Sequence, residues 1–118
     1  MQSTYQLKLS SAQQERVRLK AGITSELVEE VISLNGDPIG YMLQAYYSRE
    51  KVSKVKLIPG SIHFDEQGVI TLKLEYVMEE YNACSAINTE QKDKMTVTIN
   101  ADQEAGSLNL KGENWPEL

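Results

Sequence analysis

The sequence predicts an α+β domain, in which an antiparallel meander of at least four strands, at about 61–65, 69–81, 94–101 and 107–112, is covered on one face by an N-terminal helical segment. Three observations predict it. The first is SIHFDEQGVITLKLEYVMEEY, residues 61–81, where Ile62 and Phe64, then Ile70, Leu72, Leu74, Tyr76 and Met78, alternate with polar residues at the period of a half-buried strand. Pairing Asp65 with Val69 around Glu66-Gln67-Gly68 sets Phe64 against Ile70 and Ile62 against Leu72, with Gly68 taking the left-handed position of a G1 bulge. A loop one residue longer would set Ile62 against Thr71 and divide the apolar residues between two faces. The second is the alternation of Met95, Val97, Ile99 and Ala101, continued by Leu108 and Leu110. Pairing Ala101 with Leu108 and Ile99 with Leu110 leaves a turn from Gln103 to Gly106, the glycine supplying a positive φ. The third is Leu27, Val28, Val31, Ile32 and Leu34, which follow a helical period behind Thr24 or Ser25 as cap.

In chain order, Tyr5, Leu7 and Leu9 read as a short strand. Ser10 to Gly22 supports a helix, with Ser11 as cap, Gln14 three residues on and Gly22 as stop, and also a strand with Val17, Leu19, Ala21 and Ile23 on one side. The run AQQER offers little to a sheet and favours the helix. After Asn35-Gly36-Asp37-Pro38, residues 38–48 fit both periods: Ile39, Met42, Leu43, Tyr46 and Tyr47 make a helical stripe, while Ile39, Tyr41, Leu43, Ala45 and Tyr47 make a strand. The stretch VISLNGDPIGYMLQAYY resembles the strand-turn-strand of the effector domain of GntR-type regulators, which implies strands here; the DNA-binding domain of those regulators is absent, and no function is carried over. Val55 and Leu57 mark a strand over 52–58, ended by Pro59-Gly60. Residues 82–93, NACSAINTEQKD, read as a long polar loop holding Cys84, and Trp115 as a lid folded back on the core. If 11–21 and 38–48 were both strands, the architecture would be a mostly-β barrel or sandwich.

A chain of 118 residues is expected to form a single domain, 1–118, with one core and no need of a staple. A hydrophobic share of 41% with 25% charged residues, and a mean hydropathy of -0.41, are those of a folded globular protein and too apolar for a disordered one. Its one cysteine excludes an internal disulfide, and no apolar run has the length of a membrane span or a signal core, so a cytoplasmic protein without membrane attachment is expected. The net charge of -5 repels a phosphate backbone on average, and the basic stretches Arg16-Arg18-Lys20 and Arg49-Lys51-Lys54-Lys56 read as solvated faces, so no nucleic acid is expected.

The residues assign no catalytic centre. One His and one Cys cannot build a structural zinc site, Asp65-Glu66-Gln67-Gly68 lacks the spaced oxygens of a calcium loop, and no phosphate-cradling or dinucleotide motif occurs, so neither metal nor cofactor is expected. His63 stands with Asp65 and Ser61 on the wet side of its strand, where side chains run parallel and do not converge. Glu75 and Glu79, about 13 Å apart along an extended strand, are too far apart for paired-carboxylate chemistry.

Two functional expectations follow. In the first, this is a small non-enzymatic protein that binds another protein, one of basic character, as an adaptor, immunity or chaperone-like module; Glu75, Glu79 and Tyr81 on the open sheet face, with the 82–93 loop, make the contact. In the alternative, a small-molecule binder or cavity-type enzyme encloses a pocket lined by Tyr41, Tyr46, Tyr76 and Met78. The last strand, Ser107 to Gly112, is expected to leave an edge through which a homodimer would pair.

Overall fold

The structure, a computed structural model, describes residues 1–82 and 87–116, with side chains described for 1–80 and 90–116. The elements run β1 (Thr4–Lys8), α1 (Ser11–Leu19), α2 (Ser25–Leu34), α3 (Gly36–Gln44), β2 (Lys51–Leu57), β3 (His63–Phe64), β4 (Ile70–Asn82), β5 (Ile87–Asp102) and β6 (Ser107–Lys111). They form the α+β architecture the sequence predicts, an antiparallel sheet in the order β1-β6-β5-β4-β2 with β3 on the same edge of β4 as β2. The alternation of β4 decides which face is dry. Ile70, Leu72, Leu74, Tyr76 and Met78 point inward, joined by Met95, Val97 and Ile99 from β5, Leu108 and Leu110 from β6, and Leu7 from β1.

Both hairpins adopt the expected registers. Phe64 pairs with Ile70, and Gly68, at φ 82°, donates to the Asp65 carbonyl while the Asp65 N–H returns to Val69. Ala101 pairs with Leu108 and Ile99 with Leu110 around Gly106 at φ 64°. In β2 a bulge at Lys54, whose φ is 53°, adds one residue between the pairs Ser53–Val77 and Lys56–Glu75. Val52 and Leu57 are five apart, an odd spacing that simple alternation would send to opposite faces; the extra residue lets Val52 sit opposite Met78 and Leu57 opposite Leu74, both against the core.

The disputed segments are helices. The cap of α1 is Ser10, one residue before the one expected: Ser10 accepts from the Gln13 N–H, and the Gln13 side chain accepts from the Ser10 N–H. Residues 36–44 are helical, so neither the strand reading of 38–48 nor the strands implied by the GntR-type resemblance is realised. The physical reason is that Pro38 falls in the first turn, where its missing N–H has no intrahelical acceptor, and that the helical period alone brings Ile39, Met42 and Leu43 together onto the sheet. The cover is α2 and α3; α1, which the sequence also placed in it, buries no residue.

Three further expectations are corrected. The first strand of the central hairpin is two residues long rather than 61–65, and Phe64 remains 45% exposed, because β2 already occupies the adjoining edge of β4. Ahead of it the Ser61 hydroxyl takes the place of a ladder, donating to the Ile58 carbonyl and accepting from the Lys73 N–H. The long loop at 82–93 is strand from Ile87 onward, paired residue by residue with β4 as far as Asn82 opposite Ile87; residues 83–86, with Cys84, lie outside the described residues. Finally, β6 is an interior strand: β1 pairs along its whole length, so the edge expected at Ser107–Gly112 for a second copy is occupied.

The end of β6 is a tight place. Gly112 donates to the Ser3 carbonyl, and a Cβ there would lie 3.1 Å from the Met95 sulfur and closer still to the Tyr46 hydroxyl. We expect Gly112→Ala to lower the free energy of unfolding by about 1–3 kcal/mol, since neither neighbour can yield without leaving its own packing. Urea denaturation checks it; an unchanged midpoint would mean that the tail simply shifts.

Candidate functional site

Because α2 and α3 sit on one face, the other face of the sheet carries the partner-binding residues expected from sequence. On it Glu75 lies between Lys56 of β2 and Lys94 of β5, Val77 between Ser53 and Lys92, and Glu79 between Lys51 and Glu90. Glu75, Val77 and Glu79 are half-buried by these neighbours, while Lys51, Lys56, Glu90, Lys92 and Lys94 are exposed. The result is a surface of alternating charge around one apolar position. Tyr81 continues β4 opposite Asn88, and its side chain lies outside the described residues.

The four residues expected to line a pocket do not gather around one. Tyr41 is 78% exposed on the outer side of α3, where it borders a groove against β2. Met78 and Tyr76 are buried in the core, and Tyr46 belongs to a ring cluster that the sequence showed only as scattered aromatics. In that cluster Trp115 packs on Tyr46, with ring centres 4.8 Å apart, and edge-on to Tyr47 at 5.5 Å; Tyr47 in turn meets Tyr76 at 5.9 Å. The Tyr46 hydroxyl accepts from the Ser3 N–H at 2.9 Å and donates to the Glu113 carbonyl at 2.6 Å. The Tyr47 and Tyr76 hydroxyls are 2.5 Å apart, and Tyr47 reaches the Asp93 carboxylate at 3.3 Å. Burial pushes both phenols above their ordinary pKa; for Tyr76 the bond to Tyr47 adds to this, for Tyr47 it subtracts, and the pair stays protonated across the physiological range. Trp115 therefore is the lid the sequence suggests. Of its partners, Tyr47 stands on both periods read for 38–48 without either pointing to Trp115, and Glu113 carried no signal of its own.

A cleft of about 650 Å³ opens at the opposite end of the sheet, between α1 and the β5–β6 turn. Leu9, Val17, Ile23 and Leu108 give it an apolar lining, with Arg18 and Asp102 among its polar groups. α1 is held over it by polar ties. Gln14 donates to the Leu9 carbonyl and lies against Gly106, while Arg16 and Gln13 both donate to the Glu30 carboxylate of α2. The two basic residues of α1 are thus divided: Arg16 goes to Glu30 and Arg18 to Glu15, and no basic row forms with Lys20.

Among the described residues no three His, Cys, Asp or Glu side chains gather as metal ligands would, and no helix is long and apolar enough to cross a membrane. His63 is exposed opposite Thr71, in the register expected, and the nearby Ser61 hydroxyl is engaged with backbone. Compared with family models, with curated proteins and with solved structures, the chain finds no match in any of the three.

The tyrosine pair and the α1 tie each generate a test. Tyr47→Phe leaves the buried Tyr76 hydroxyl without its partner, whereas Tyr76→Phe leaves Tyr47 its bond to Asp93. We expect the first to cost about 1–3 kcal/mol and the second about 1 kcal/mol by urea denaturation; equal costs would show that water replaces Tyr47. Glu30 is held below the usual carboxylate range, chiefly by the Arg16 hydrogen bond and then by Gln13. A carboxylate whose folded pKa is lowered contributes stability above its unfolded pKa and loses it as pH falls through the folded value. Hydrogen exchange of the α1 amides in the parent and in Glu30→Gln should therefore differ at neutral pH and converge in acid. A difference that persists in acid, or none at neutral pH, would refute the tie.

Proposed function

We propose that the chain acts by binding another protein through the uncovered face of its sheet, as an adaptor, immunity or chaperone-like module. The observation that carries the reading is that both covering helices lie on one side, leaving Glu75, Val77 and Glu79 framed by lysines on a broad face over which none of the described helices packs. An apolar centre ringed by charge of both signs suits a partner whose own charges alternate in complement, and the net charge of -5 weights that partner towards basic residues. A cytoplasmic setting belongs to the same reading, on the strength of the single cysteine. The cleft beneath α1 supports a second reading, a small-molecule binder, in place of the tyrosine-lined pocket: its size is that of ligand sites, and its lining joins apolar side chains to about as much polar surface.

Affinity capture from the native host, with the parent chain and with Glu75→Lys/Glu79→Lys, tests the first reading. We expect one stoichiometric protein bound by the parent and held at least roughly tenfold more weakly by the variant, whose melting temperature is unchanged. A partner held equally by both would remove the sheet face from the reading. Native mass spectrometry that finds only a bound small molecule, displaced by Val17→Trp in the cleft, would replace it with the second.

A further inference from the structure

The β4–β5 ribbon outruns the strands that flank it. On one side β2 accompanies β4 only to Glu79; on the other, β6 accompanies β5 only from Asp102 to Thr98. From Met95 back to Ile87 one edge of β5 has no strand beside it among the described residues. The phase of the ladder fixes which groups point there. Thr98 and Asn100 face β6, so the even-numbered residues Thr96, Lys94, Lys92 and Glu90 turn their N–H and C=O groups to the same edge. Two of these donors are met from within the chain, Thr96 by the Glu113 carboxylate at 2.8 Å and Lys94 by the Asp93 carboxylate at 2.8 Å. Among the described residues no side-chain acceptor meets Lys92 or Glu90.

The residues along this edge, Glu90-Gln91-Lys92-Asp93-Lys94, are exposed and carry charges that complement themselves when the segment is reversed. With Gln91 on a twofold axis, Glu90 falls opposite Lys92 of the second copy, twice over, and both are hydrogen-bonding positions of the free edge. Of the neighbouring registers, one sets Glu90 against Glu90; the other sets Lys92 against Lys92 and, although it brings Glu90 to Lys94, needs the Lys94 N–H that the Asp93 carboxylate already holds. Within one chain Glu79 stands directly opposite Glu90, a like-charge pair at the margin of the sheet. A lysine arriving on the far side of Glu90 would complete the row Lys51, Glu79, Glu90, Lys92 and relieve it. Lysines on an edge strand ordinarily repel other strands; here each meets a glutamate when the strand meets its own reversed copy. Only the stretch beyond β6 is used, so the two bodies lie at opposite ends of the shared ribbon.

We propose that β5 pairs antiparallel with β5 of a second copy across this edge, with Glu90 of each chain opposite Lys92 of the other, giving a twofold dimer with a continuous sheet. The pairing is separable from the partner-binding reading: it is made by the main-chain edge of β5, and Glu79 flanks Glu90 on the side away from the second copy, so neither Glu75 nor Glu79 reaches across the axis. Sedimentation over a concentration series tests it. The parent chain should dimerise; Glu90→Lys alone and Lys92→Glu alone should each dissociate at least about tenfold more readily, because both substitutions make the facing pairs like-charged. Mixing the two single variants should restore a dimer, now a heterodimer, since the lysines of one then face the glutamates of the other; Glu90→Lys/Lys92→Glu should dimerise like the parent. Melting curves establish that each variant is folded. A parent chain that stays monomeric throughout, or single variants that dimerise as well as the parent, or a mixture that remains monomeric, would overturn the proposal.

Discussion

The constraint on which the rest of the structure depends is the alternation of β4. Its five inward side chains from Ile70 to Met78 are all buried, and a slip of one residue would turn every one of them outward. At roughly 1.5–3 kcal/mol for each such side chain, the penalty is comparable with the whole stability of a small domain. Every neighbour inherits its phase from this strand: β5 through thirteen consecutive pairs, β3 through two, and β2 through a bulge that corrects its own odd spacing. The helices follow rather than lead. α2 and α3 supply apolar stripes to a face that β4 has already selected.

This explains which parts of the molecule were legible in the sequence. Both hairpin registers could be written down in advance, since the apolar period and the turn glycines Gly68 and Gly106 agree. Residues 38–48 could not, because their apolar residues satisfy two periods at once and the choice between them depends on the width of a sheet surface that no local window reveals. The beginning of β5 was illegible for a different reason. Alternation records a difference between two environments, and where the ribbon leaves the helical cover both faces meet water, so Glu90 to Asp93 can be strand without reading as one. The role of β1 was hidden because strand order is a long-range property: nothing near Tyr5 and Leu7 says that they complete the edge of β6.

The candidate site was legible in a narrower sense. The positions of Glu75 and Glu79 on the open face follow from period two alone, but the lysines that frame them come from β2 and β5, and their registers had to be known first. The tyrosines misled for the converse reason. A phenol with a polar tip suits a pocket and a packed core equally, and what decides is whether its hydroxyl finds a protein partner; Tyr46 and Tyr76 both do, whereas Tyr41 faces solvent.

The aromatic cluster sits where β6 gives out, and this placement links the core to the ribbon. After Lys111 the chain leaves the ladder, yet it continues to support β5 by other means: Glu113 takes the Thr96 N–H, Trp115 covers Tyr46 and Tyr47, and Tyr47 reaches from the Tyr76 hydroxyl to Asp93 on the ribbon itself. A two-stranded ribbon alone in water is marginal. Anchored at its root by hydrogen bonds on one edge and by packed rings on its inner face, it has a fixed direction relative to the body. A fixed root is what allows an exposed edge to be specific, because a partner strand then meets one geometry and one row of charges instead of an ensemble. The same clasp that closes the core therefore sets how the outer half of β5 is presented, and the polar character that hid this strand in the sequence is what leaves its edge open to a complementary one.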